Sequence, residues 1–102
     1  MSRLESLKAL VDQTPGDSRF RFMLGMELVS TGDPTAAVLE FDELVRLNPD
    51  YVGGYFQAGR ASEGLGNVEA ARDYYTRGRE AARRVGDKHA ESELSDALDM
   101  LN

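Results

Sequence analysis

The chain of 102 residues has no cysteine, no tryptophan, one histidine and only three prolines. Without cysteine there can be no disulfides and no thiolate metal sites. A single imidazole leaves little material for histidine-based catalysis. Bases are also scarce, 12 Lys and Arg against 18 Asp and Glu, giving a formal charge of −6. That balance argues against nucleic acid, which is held by cationic surface that displaces counterions, and equally against an anionic membrane. No stretch approaches the ~18 consecutive apolar residues of a membrane helix. The opening Met1-Ser2-Arg3-Leu4-Glu5 lacks the apolar run of a secretory signal, and Ser2 stands where N-myristoylation needs glycine. The expectation is a cytoplasmic protein of one domain. A globule of this length buries only roughly 60–65% of its unfolded surface, which leaves no room for a second domain or a large catalytic cleft.

Apolar residues recur at helical spacing throughout. Leu4, Leu7, Leu10 and Val11 form one stripe, Phe20, Leu24 and Leu28 a second, and Val38, Phe41, Leu44 and Val45 a third. Ala90, Leu94, Ala97, Leu98 and Leu101 make another near the C-terminus. These are the i, i+3, i+4, i+7 intervals of amphipathic helices, and no run alternates with period two. Pro15-Gly16-Asp17, Gly32-Asp33-Pro34, Asn48-Pro49-Asp50, Gly66-Asn67 and Gly86-Asp87 punctuate the stripes. Glycine closes a helix, an Asx side chain caps the next, and proline suits a first turn. Six helices are predicted, at 2–13, 18–31, 34–47, 52–65, 68–85 and 88–101. Connections this short force antiparallel hairpins. The fold class is all-α.

The chain also resembles itself at an offset of 34. Pro15 and Pro49, Gly25 and Gly59, Gly32 and Gly66, Asp33 and Asn67, Ala36 and Ala70, Ala37 and Ala71, and Phe41 and Tyr75 are all so spaced. Small residues at Gly25, Gly59, Ala37 and Ala71 permit close approach within a hairpin, with Phe41 and Tyr75 filling the space beside them. A single hairpin cannot hide its apolar face, so neighbours stack on it.

This pattern resembles the tetratricopeptide repeat (TPR) family, a helix–turn–helix unit of 34 residues. Leu24-Gly25, Leu28, Ala37, Phe41 and Pro49 carry the match in one unit, with Arg21 at the leading aromatic position. Tyr55, Ala58-Gly59, Ser62, Ala71 and Tyr75 carry it in the next, with Arg83 in place of proline. The resemblance implies hairpins stacked as a short right-handed solenoid over 1–102: a half repeat at 2–17, repeats at 18–51 and 52–85, and a capping helix at 86–102. In that last helix Ser92 and Glu93 take the small-residue positions, and Glu91, Asp96 and Asp99 face outward.

Other chemistry is thinly represented. Gly64-Leu65-Gly66 precedes a helix, but Glu69 replaces the third glycine of a phosphate loop and no strand lies upstream. His89 and Glu93 share a helical face, yet two ligands do not close a metal site. Arg72, Arg77, Arg79, Arg83, Arg84 and Lys88 cluster near the fifth helix among Glu69, Asp73 and Glu80, a mixed solvated face rather than a docking site for an acidic partner, in which Glu80 and Arg84 have the favourable i, i+4 order. No nucleophile–base pair is apparent, so no enzyme, metal or cofactor is expected.

The family resemblance implies instead a concave groove lined by first helices, binding a peptide or protein segment. The corresponding positions here are Phe22, Met23, Met26 and Val29, then Phe56, Gln57, Arg60 and Glu63, then Ala90 and Glu91. Gly53, in a helix crowded with Gly54, Gly59 and Gly64, serves close packing and frayed ends or leaves space beside a bound side chain. Chaperone-binding TPR domains place a lysine and asparagines in this groove. Phe22 and Met26 occupy the first two of those positions, so carboxylate clamping is not implied. Phe and Met favour an apolar anchor. The alternative is a homo-oligomeric assembly subunit using the same apolar surface on itself.

Overall fold

The computed structural model describes residues 1–101 and shows six helices: α1 (Arg3–Gln13), α2 (Ser18–Ser30), α3 (Pro34–Leu47), α4 (Val52–Gly64), α5 (Val68–Val85) and α6 (Lys88–Met100). The expected elements are all present with ends shifted by no more than a residue, and no strand occurs among the described residues. Asn102, the last residue of the expected capping segment, lies outside them.

The boundaries follow from the punctuation. Gly32, Gly66 and Gly86 adopt left-handed φ values of 85°, 77° and 75°. After each, the next amide bonds the carbonyl five residues back: Asp33 to Leu28, Asn67 to Ser62 and Asp87 to Ala82. This is the Schellman closure. The same three residues then accept, through their side chains, from Ala36, Ala70 and Ala90 to start the next helix. One residue thus ends one helix and begins another. Asn48-Pro49-Asp50 does not repeat this device. Because α4 begins at Val52, its capping position falls on Tyr51, which makes no side-chain cap bond, and Asp50 pairs with Arg84 instead. The expected Glu80–Arg84 pair is likewise replaced, since Arg84 reaches across to Asp50 at 3.1 Å and to the Pro49 carbonyl at 3.0 Å.

Consecutive helices pack as antiparallel hairpins, and α2 also touches α4. A Cβ built on Gly25 would lie 2.4 Å from Phe41 Cε1, and one on Gly59 2.3 Å from Tyr75 Cε1. The hairpins therefore close only around glycine. Gly54 serves the next interface, its missing Cβ being 2.8 Å from Val45 Cγ1. Of the four glycines of α4, Gly54 and Gly59 are therefore required by packing, whereas Gly64 stands in open space. The resulting body is elongated, 41 × 29 × 18 Å.

The third unit departs from the 34-residue period. α5 has 18 residues where α3 has 14, and α6 begins 36 residues after α4 (Val52 to Lys88) rather than 34. Burial follows the longer offset. Leu24 and Ala58 are buried, and their counterpart is Leu94, 1% exposed, whereas Ser92 and Glu93 are exposed. Ser95 therefore stands at the position of Gly25 and Gly59, which corrects the placement of Ser92 and Glu93 read from a strict repeat. The added turn of α5 carries the chain further before α6 starts, and the buried stripe of α6 moves two residues along.

Candidate functional site

Two clefts run between the first helices of successive hairpins. One of about 350 Å³ lies between α2 and α4, lined by Met26, Val29, Pro34, Gln57, Arg60, Ala61 and Gly64. The other, about 340 Å³, lies between α4 and α6 and is lined by Val52, Gly53, Phe56, Gln57, Asp87, Ala90, Glu93 and Leu94. Gln57 belongs to both, so they form one continuous face.

On α2, Met23, Met26 and Val29 are 37%, 36% and 43% exposed. Phe22 is half-buried: its ring centroid is 5.9 Å from Phe41 and 5.5 Å from Tyr51. Gly53 lies against that ring, a Cβ there falling at 3.4 Å from Phe22 Cε1, so its open side is shared between Phe22 and the α4–α6 cleft. Phe56 is half-buried too, 6.0 Å from the Tyr75 ring. Arg60 is exposed and forms no ion pair among the described residues. Glu63 is engaged by the Tyr75 hydroxyl, which donates to it. Ala90 lines its cleft, but Glu91 does not. The register of α6 turns Glu91 toward α5, where Arg83 Nε donates to it at 2.6 Å, and Glu93 takes the groove position.

The remaining polar groups are mostly satisfied internally. Arg77 bonds Asp73 at 3.2 Å and lies 5.4 Å and 5.6 Å from the Tyr55 and Tyr74 ring centroids. Arg72 pairs with Glu69 at 4.0 Å. His89 and Glu93 meet at 3.1 Å. Tyr74 donates to Asp42 at 2.7 Å. Burial first, and then these carboxylate partners, push the Tyr74 and Tyr75 phenols well above the usual tyrosine range. Among the described residues no three His, Asp or Glu side chains gather as metal ligands, and no helix is long and apolar enough to cross a membrane. A third cleft, about 440 Å³, lies on the α1–α3 side and includes Lys8, Asp12, Arg21 and Glu40. Charged residues scattered over three stripes gave no sequence signal for it.

The sequence matches the tetratricopeptide repeat family over residues 4–52 and again over 22–86. This chain belongs to the TPR family. It is similar to a TPR repeat-containing protein of Pseudomonas aeruginosa, 28% identical over 99 residues, covering 97% of this chain and 94% of the relative. Among solved structures, a TPR domain protein of Salinibacter ruber superposes with a TM-score of 0.81 at 36% identity, covering 86% of this chain and 89% of that one. The Yersinia enterocolitica type III secretion chaperone SycD, in complex with a peptide of the translocator YopD, shares the fold with a TM-score of 0.86 at 19% identity, covering 96% and 76%. The two clefts lie along the first helices of the TPR hairpins.

Proposed function

We propose that this TPR domain is a non-enzymatic cytoplasmic module that binds a peptide or protein segment along the face formed by Phe22, Met23, Met26, Val29, Gly53, Phe56, Gln57 and Arg60. One observation carries the reading: Met23, Met26 and Val29 remain exposed on α2, and Met26 and Val29 line a cleft. Apolar exposure at a cleft marks an interaction surface, and methionine adapts to irregular partners. SycD, with the same fold, has been seen with a peptide. Residues 2–17 act as a half repeat, 18–51 and 52–85 as whole ones, and 86–102 as the cap. Phe22 and Phe56 contribute the floor rather than projecting anchors, since core rings already hold them.

Replacing Met26 with Asp is expected to abolish peptide binding while the helical circular dichroism persists. Retained binding removes the proposal. Self-association through the same surface is the competing use. Light scattering across a dilution series separates the two, because a mass that falls on dilution and becomes constant in Met26→Asp favours the assembly role.

A further inference from the structure

Across its three first helices the concave face changes chemistry in one direction. Equivalent positions on α2, α4 and α6 are Met23, Gln57 and Glu93; Met26, Arg60 and Asp96; Val29, Glu63 and Asp99. The α2 wall is apolar, the α4 strip is polar with one arginine, and the α6 wall is acidic. This gradient is a consequence of the register of α6. A strict 34-residue period would place Leu94 and Ala97 in the rows of Met26 and Val29, continuing an apolar groove. The observed offset of 36 buries Leu94 and brings Asp96 and Asp99 to the surface instead. Of the basic residues nearest in sequence, His89 meets Glu93 at 3.1 Å, Arg83 is committed to Glu91 and Arg84 to Asp50, and Lys88 opens α6 about two turns before Asp96. Among the described residues Asp96 and Asp99 have no ion-pair partner. Charges of one sign beside an apolar cleft focus their field on whatever enters it.

We infer that the groove accepts an extended peptide that seats an apolar side chain between α2 and α4 and presents a lysine or arginine to Glu93 and Asp96 on α6. The inference rests on the groove-binding reading above and adds the chemistry and spacing of the partner. From the α2–α4 cleft to the α6 wall is one and a half helix spacings, roughly 12–15 Å at ~8–10 Å each. An extended chain covers that in about four residues at ~3.3 Å per residue. Charge complementarity of this kind sets specificity and association rate.

The test is selection from a displayed library of random peptides about a dozen residues long, against the protein and two variants, Met26→Asp and the double variant Glu93→Lys/Asp96→Lys. Both α6 positions are exposed, so the double variant is expected to retain the wild-type circular dichroism. The expected result is enrichment of peptides with Lys or Arg about four positions from an apolar residue. Fluorescein-labelled copies should bind about tenfold more weakly when that cation becomes Glu, with the preference reversed in the double variant. Peptides lost in Met26→Asp but indifferent to charge on either side overturn the polarity and leave groove binding standing. No enrichment, or peptides that bind Met26→Asp unchanged, overturns both.

Discussion

Arg21 and Tyr55 stand 34 residues apart and donate to equivalent carbonyls, Arg21 Nη2 to Pro15 at 3.3 Å and the Tyr55 hydroxyl to Pro49 at 2.8 Å. Two unrelated side chains thus tie the first helix of each repeat to the turn that precedes it. Arg21 additionally meets Glu40 on α3 at 2.9 Å with only 12% of its side chain exposed. The leading position of the repeat is therefore a tether that an aromatic can fill and a paired arginine can fill equally. Arg21→Ala is expected to cost about 2 kcal/mol, the range for hydrogen bonds to charged groups. Arg21→Tyr, which keeps the tether and loses the pair, should cost about 1 kcal/mol or less. Urea unfolding of the two variants checks the order.

Gly25 and Gly64 predict opposite signs for the same substitution. Gly25→Ala pushes a methyl into the Phe41 ring, which is itself fully buried, and overpacking of this kind costs about 1–3 kcal/mol. Gly64 ends α4 in open space, so Gly64→Ala should gain about 0.5 kcal/mol through helix propensity. Pairing Gly25→Ala with Phe41→Leu should recover part of the loss. Thermal melts of the three proteins decide it.

Helix ends and hairpin packing were legible because the residues that create them have few other uses. Gly32-Asp33 and Gly66-Asn67 announce a left-handed residue followed by a cap, and the offset joining Gly25–Phe41 to Gly59–Tyr75 identifies partners without coordinates. The length of α5 could be read as well, since nothing between Val68 and Val85 breaks a helix. Its consequence for α6 was hidden, because a period inferred from two repeats was carried into a third that does not obey it. The exposed Met23, Met26 and Val29 could be read from the repeat, whereas the half-burial of Phe22 depends on Tyr51, a connecting residue outside any periodic stripe. On α6, Ala90 lines the cleft as the repeat implies, whereas Glu93 takes the place expected for Glu91, for the same reason as the shifted register.

Tyr74 and Tyr75 predict alkaline sensitivity. Both phenols are raised, by burial first and then by bonds to Asp42 and Glu63, while an unfolded tyrosine titrates near ~10. Above that pH the unfolded chain has lost protons that the folded chain still holds, so stability falls as pH rises. Below it both states are protonated and the contribution is complete. The urea midpoint should show no tyrosine-linked change between about pH 7 and 9 and decline above about pH 10. The Tyr74→Phe/Tyr75→Phe double variant should decline less steeply over the same range, and an identical decline counts against the assignment.

The register of α6 can be read from stability alone. If α6 followed the strict period, Glu93 would sit at the close-packed position of Gly25 and Gly59, and Leu94 would project into the groove beside Met26 and Arg60. Truncating Leu94 would then change little, and shortening Glu93 would relieve crowding. In the structure Leu94 is 1% exposed and touches the space above Gly78, a Cβ there falling 3.2 Å from Leu94 Cδ2. Glu93 lines the cleft and pairs with the exposed His89. Leu94→Ala should therefore cost about 2–4 kcal/mol through lost burial and the cavity left behind. Glu93→Ala should stay within about 0.5 kcal/mol of the parent, as substitutions at exposed positions do. Because α6 closes the second core cluster with Ala71, Tyr75 and Ala82, the Leu94 variant should also expose the α5–α6 interface to amide exchange before α2 and α3. Equal costs at the two positions, or a larger one at Glu93, would return α6 to the strict repeat and remove the acidic wall with it.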